Sequence, residues 1–254
     1  MSKKITVLSL LLGTLMIAGG CGGSAPVKRS MDSEIASKVR LAHAYLRGGR
    51  VGAAMKEMDE ALELNPDSAG LQNSYGWFSM STGRNTAAEA AFRKALELDP
   101  YLSDAHNNLG ILYTEMGRGA EAESEYLKTL ENPAYRTPEK VHLNLGILYV
   151  SQGRDEKALK TLRRAVELNP KYFQAHYELA GLLERTGNLD EAAREYEVAS
   201  QEYGKKGEFH YRLGLVYFRL GNTDKASEHL REVLELTPGS ENAAQAGEIL
   251  RTIK

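Results

Sequence analysis

The chain of 254 residues has a single cysteine, Cys21, and a single tryptophan, Trp77. A lone thiol excludes an internal disulfide and every zinc or redox motif built from paired cysteines. Charge of one sign never accumulates: 32 basic and 34 acidic residues are interspersed, for a net charge of −2. That balance lacks the concentrated basic face on which nucleic-acid binding rests, so no nucleic acid is expected as a partner. There is no G-x-S-x-G, no H-E-x-x-H and no Walker loop, and with them go the nucleophilic, metallopeptidase and nucleotide-hydrolysing mechanisms that such motifs carry. The reading is therefore of a chain with no catalytic residues, no metal, no cofactor and no small-molecule substrate. Long apolar runs are also missing, apart from thirteen residues between Ile5 and Ile17, which are too few to span a bilayer.

What is present is a period. Gly76, Gly110, Gly146 and Gly214, with Ala42 and Ala180 in the same slot, are separated by 34, 34, 36, 34 and 34 residues. Self-similarity at this spacing is the signature of a solenoid, in which each unit buries its apolar face only against its neighbours. The surroundings recur too, as Leu109-Gly110-x-x-Tyr113 with Gly117, Ala122 and Tyr126, and as Leu145-Gly146-x-x-Tyr149 with Gly153, Ala158, Ala165 and Pro170. This pattern resembles the tetratricopeptide repeat (TPR), a pair of antiparallel helices, A and B, in ~34 residues. With the small residue at position 8, six copies run 35–68, 69–102, 103–136, 139–172, 173–206 and 207–240. The expected fold is all-α, a right-handed superhelical solenoid of six hairpins, closed by a capping helix over 241–254 in which Ala244, Ile249, Leu250 and Ile253 stand at helical spacing.

Each recurrent slot has a physical reason. Position 15 is glycine in all six copies (Gly49, Gly83, Gly117, Gly153, Gly187, Gly221), where helix A must stop and reverse through the left-handed region. Small residues at positions 8 and 20 let the paired helices approach. Pro66, Pro100, Pro170 and Pro238 at position 32 end helix B by removing an amide donor. His106, His142, His176 and His210 all fall at position 4. Equivalent positions of stacked repeats lie about 8–10 Å apart or more, whereas histidines sharing a zinc ion must each approach to about 2.1 Å. They are read as packing residues.

The amino terminus has the layout of a secretory leader: Lys3 and Lys4, the apolar run, then Ala18-Gly19-Gly20-Cys21. The last four residues resemble the lipobox of bacterial lipoproteins, with Ala18 where that box carries leucine. The resemblance implies that residues 1–20 are removed and that Cys21 is acylated and held at the membrane by its acyl chains, each buried methylene contributing about 0.8 kcal/mol. The alternative is a plain secretory signal with a buried thiol. Residues 21–34, small and polar, read as a lipidated terminus and flexible linker. Gly22 after the cysteine implies, by the same resemblance, the outer membrane, facing the periplasm.

In the TPR family, positions 2, 5, 6, 9, 12 and 13 of helix A line the concave groove. Carried over by position, they give Asn73, Trp77, Met80, Asn107, Asn108, Ile111, Leu143, Asn144, Ile147, Val150, Tyr177, Tyr211, Leu215 and Phe218. Apolar side chains studded with asparagine amides suit an extended or helical peptide. Trp77 is open to two readings, as an interface anchor or as packing against the next repeat. TPR domains that clamp a chaperone's terminal carboxylate need five polar residues, of which only Asn108 and Lys140 stand in place here, so the clamp is incomplete and the sequence does not favour a chaperone adaptor.

The irregular junction narrows the family. Asn132-Pro133-Ala134-Tyr135-Arg136-Thr137-Pro138-Glu139 leads into Asn144 and Gly146, with Thr137 as N-cap and Pro138 in the first helical turn. This stretch, with Asn73-Ser74-Tyr75-Gly76-Trp77-Phe78 and the lipobox, resembles the type IV pilus biogenesis/stability lipoproteins, the TPR pilotins. That resemblance implies a membrane-anchored periplasmic scaffold that binds a secretin subunit and assists its localisation to the outer membrane and its assembly there. The alternative is a general TPR lipoprotein adaptor for cell-envelope enzymes such as murein hydrolases or proteases.

Overall fold

A computed structural model describes residues 25–253, and Cys21 and the leader lie outside the described residues. The described residues form thirteen α-helices and no strand. They fall into two compact units, divided after Leu64.

The first unit is one hairpin, α1 (Ala25–Arg47) and α2 (Val51–Leu64). Ala42, Ala54, Met55, Met58 and Ala61 are buried within it, and Lys38 pairs with Glu57 at 3.6 Å and with Glu60. Helix α1 begins at Ala25, ten residues before the expected start of the first repeat, so most of the segment read as a flexible linker is helical. The physical reason is visible in the sequence: beyond Pro26, which suits a first turn, residues 27–47 contain neither proline nor glycine.

The second unit stacks five more hairpins: α3 (Ala69–Ser81) with α4 (Asn85–Leu98), α5 (Ser103–Glu115) with α6 (Gly119–Leu130), α7 (Pro138–Ser151) with α8 (Asp155–Leu168), α9 (Phe173–Arg185) with α10 (Leu189–Tyr203), and α11 (Gly207–Arg219) with α12 (Thr223–Leu236). Helix α13 (Glu241–Thr252) ends the stack. Every A helix stops two residues before its position-15 glycine, and all six of these glycines have φ between 67° and 85°, the left-handed conformation expected at each reversal. Each position-32 proline lies two residues past the end of its B helix. At the junction, Thr137 precedes α7 and Pro138 occupies its first turn, but the threonine side chain makes no capping hydrogen bond.

The small residue at position 8 has a more specific role than close helix approach. A Cβ at Gly76 would lie 2.6 Å from the Phe92 ring, at Gly110 2.7 Å from the Tyr126 ring, and at Gly146 2.5 Å from Leu162. Phe92, Tyr126 and Leu162 are the position-24 residues of helix B, all essentially without solvent contact. Each glycine is therefore a seat into which the large side chain of its own hairpin partner sinks, and the run of such pairs forms the continuous core of this unit.

Helix α13 closes the last apolar face. Ala243 and Ala246 are buried with Leu230 and Val233, and Ile249, Leu250 and Ile253 pack beside them. Ala244, expected to face inward, is exposed, because Ala243 and Ala246 are the pair that shares a face with Leu250 at spacings of three and four. A chain ending at residue 240 re-exposes Leu230 and Val233, which is expected to remove about 3 kcal/mol and to lower the melting temperature by roughly 10 °C. An unchanged melting curve would contradict the capping role.

Candidate protein-binding face

Within the second unit, α3, α5, α7 and α9 touch one another in succession, while each B helix packs mainly on the A helices before and after it. The A helices therefore form the inner side, and the candidate binding residues project from it. Trp77 and Phe218 are its exposed aromatics, at 36% and 39%. The Trp77 ring stands edge-on to the buried Phe78, with centroids 5.2 Å apart, so one side of the indole is fixed by the core. Asn108 donates to the Asn73 side-chain oxygen across 3.0 Å, tying α5 to α3. Asn107 presents a buried Oδ1 with no hydrogen-bond partner.

Met80, Ile111, Ile147, Val150 and Tyr177 are half-buried against the core, and Asn144 and Leu215 are likewise half-exposed. Tyr177 stacks on Tyr203 with centroids 4.9 Å apart and meets Tyr196 edge-on, so its ring is shared between groove and core. Tyr211 donates to Gln245 of α13. Leu143 is a correction: at 2% exposure it belongs to the core. Position 5 lies at the seam between neighbouring A helices, where the Oδ1 of Asn107 is also buried. An aliphatic side chain at such a seam turns inward, since burial removes its apolar area from water.

The position-4 histidines do more than pack. The His106 Nδ1 lies 2.5 Å from the Glu125 carboxylate of its own helix B, and its Nε2 donates to the Pro100 carbonyl of the preceding repeat at 3.1 Å. His176 repeats both contacts with Glu195 and Pro170, and His210 pairs with His229 and the Gly204 carbonyl. Each ring thus fastens a hairpin to the repeat before it. His142 is the exception, because its buried Nδ1 has no partner. Burial, with the Arg164 charge added, pushes the His142 imidazole below its ordinary value.

A second inter-repeat device was not anticipated. Glu89 of α4 accepts from the Tyr113 hydroxyl at 3.1 Å and from Arg118 at 2.7 Å, and the Arg118 guanidinium lies 4.1 Å over the Tyr113 ring. One repeat later Glu123 accepts from Tyr149 at 2.8 Å and Arg154 at 2.6 Å, with Arg154 over Tyr149. The Arg154 hydrogen bond holds the Glu123 carboxyl below the usual range, against the opposing effect of burial. The signal was available in the recurring Gly-Arg after helix A (Gly49-Arg50, Gly83-Arg84, Gly117-Arg118, Gly153-Arg154).

The stacked hairpins and their half-apolar, asparagine-bearing inner side define a protein-docking scaffold. Models of the tetratricopeptide repeat match residues 39–103 and 143–206, residues 101–171 and residues 207–240. The chain belongs to the tetratricopeptide repeat family. Among solved structures it is similar to PilF of Pseudomonas aeruginosa, with a TM-score of 0.76 at 22% identity over 87% of this chain and 99% of that one. It is also similar to PilW, a widely conserved type IV pilus biogenesis factor, with a TM-score of 0.72 at 26% identity over 86% of this chain and 97% of that one. YrrB, a TPR protein with an unusual peptide-binding site, superposes with a TM-score of 0.62 at 26% identity over 75% of this chain and 97% of that one. No curated protein sequence matches the chain.

Proposed function

We propose that this protein is a periplasmic scaffold, anchored to the outer membrane through acylated Cys21, that binds a type IV pilus secretin subunit and assists its localisation and assembly. The observation that carries the reading is the likeness to PilW, which extends over 97% of that pilus biogenesis factor. A lipid anchor and a docking scaffold together suit this task. The tether places the scaffold where the ring must form, and binding lowers the free concentration of an aggregation-prone subunit by mass action. No covalent step is involved. Contact is assigned to the inner side of the second unit, where Trp77, Ile111, Ile147 and Phe218 offer apolar area and the asparagines offer amides to a bound backbone.

The test is an immunoblot of the secretin in outer-membrane fractions, under conditions that preserve its multimers, from cells with and without this gene. Multimers are expected to be lost without the gene and restored by the wild-type chain, and to be restored poorly by Cys21→Ser. Multimers unchanged by deletion would overturn the secretin reading.

A further inference from the structure

The exception at His142 lies at a cleft between α7 and α8. In the third repeat, the Glu125 carboxylate sits between His106 and Lys128, whose Nζ lies 2.7 Å from it. The fourth repeat keeps two parts of this trio, His142 for His106 and Arg164 for Lys128, at the same repeat positions. The glutamate is replaced by Thr161, whose hydroxyl turns away to donate to the Lys157 carbonyl at 2.7 Å. The result is an orphaned buried nitrogen and a cleft of about 440 Å³ lined by His142, Tyr149, Lys157, Lys160, Thr161, Arg164 and one acidic residue, Glu167.

The charge around the cleft is unusual for this chain. Helix α8 carries Lys157, Lys160, Arg163 and Arg164 within eight residues, flanked by Asp155, Glu156 and Glu167, whereas α6 sets Glu121, Glu123 and Glu125 against Lys128 alone and α10 sets Asp190, Glu191, Glu195, Glu197 and Glu202 against Arg194 alone. Lys157 reaches toward Glu123 at 3.6 Å and Arg164 bonds the exposed Glu167 at 3.0 Å. Among the described residues, Lys160 has no acidic partner. A negatively charged group entering the cleft would meet a histidine, the Lys160 ammonium and the Arg164 guanidinium, which it would share with Glu167 of the same lining, and the two cations are groups that give strong charge-assisted hydrogen bonds.

We propose that this cleft on α7 and α8 is a carboxylate seat for an acidic segment of a polypeptide partner, whose side chain supplies the group that Glu125 supplies in the third repeat. The site lies on the B-helix side, so it is independent of whether a secretin subunit docks on the A helices. It gives the scaffold a second point of contact, and a partner engaging both sides gains affinity through effective concentration.

The test uses the full chain and an acetylated tetraglutamate amide, with tetraglutamine amide and sodium acetate as controls, followed by calorimetry and by the His142 ring signals in NMR. Tetraglutamate is expected to shift the His142 signals and to bind about tenfold or more tightly than tetraglutamine, the size of one charge-assisted contact. Thr161→Glu restores the internal trio, so it is expected to abolish tetraglutamate binding and to raise the melting temperature by about 2–4 °C. Arg164→Gln, at an exposed position, is expected to weaken tetraglutamate binding without changing the melting temperature. The proposal is overturned if tetraglutamate fails to bind, if binding survives Thr161→Glu or is untouched by Arg164→Gln, or if Thr161→Glu destabilises the chain. Acetate binding as tightly as tetraglutamate would identify a small-anion site instead.

Discussion

Gly110→Val is expected to destabilise the protein by about 3 kcal/mol or more, the upper part of the range for overpacking a dense core. A Cβ here would lie 2.7 Å from the Tyr126 ring, and the ring has nowhere to go. It is 1% exposed, and its hydroxyl is held 3.2 Å from the Thr114 hydroxyl. The same burial pushes the Tyr126 phenol up to about 12. Repeat five shows how much bulk the seat tolerates. Ala180 stands there opposite Tyr196, both fully buried, so a single methyl is accommodated in that hairpin, while a branched side chain adds two further carbons. Valine also lowers helix propensity less than glycine does, so a loss of stability on Gly110→Val comes from packing alone. Urea unfolding followed by circular dichroism measures it. A midpoint equal to that of the wild-type chain would refute the seat.

The second large effect is expected in binding. Trp77→Ala should weaken partner affinity by about 2 kcal/mol, roughly thirtyfold, as for a buried aromatic anchor at an interface, and should leave the melting temperature within about 2 °C because surface substitutions typically change stability by no more than ±0.5 kcal/mol. The partition follows from geometry, since one edge of the indole rests on Phe78 while 36% of the residue remains exposed. Leu143→Ala is the contrasting case on the next-but-one A helix. Its side chain is 2% exposed, so the substitution should destabilise by about 2–5 kcal/mol and affect binding only through that loss. Affinity for the purified secretin subunit and thermal melting, measured on both variants, separate the two residues. Equal affinity for Trp77→Ala and wild-type protein would remove Trp77 from the interface.

These two residues also show where sequence reasoning reached and where it stopped. The period, the left-handed glycine at each reversal and the proline after each B helix were legible because each acts within its own stretch of chain. So was the hairpin register. The partner of Gly110 was not legible, because Tyr126 reaches it from the facing helix and spacing alone does not say which large residue sinks into which small one. The strut of Glu123, Tyr149 and Arg154 joins residues up to 31 apart across two repeats, a distance at which periodicity gives equivalence and not contact. The histidines were recognised as equivalent, but their ring partners at position 23 and at the preceding position 32 became visible only in three dimensions. Among the groove residues, a positional rule taken from the family placed Leu143 on the surface. It could not register that an aliphatic side chain at the seam turns inward, while Asn73 and Asn108 stay near the surface by pairing with each other.

Hydrogen exchange of the full chain with and without a purified secretin subunit tests the central claim most directly. Docking on the inner side predicts slowed exchange in α3, α5 and α7, centred on the turn that carries Trp77, with α4 and α6 unchanged. Slowing confined to the B helices, or absent at saturating secretin, would contradict the account.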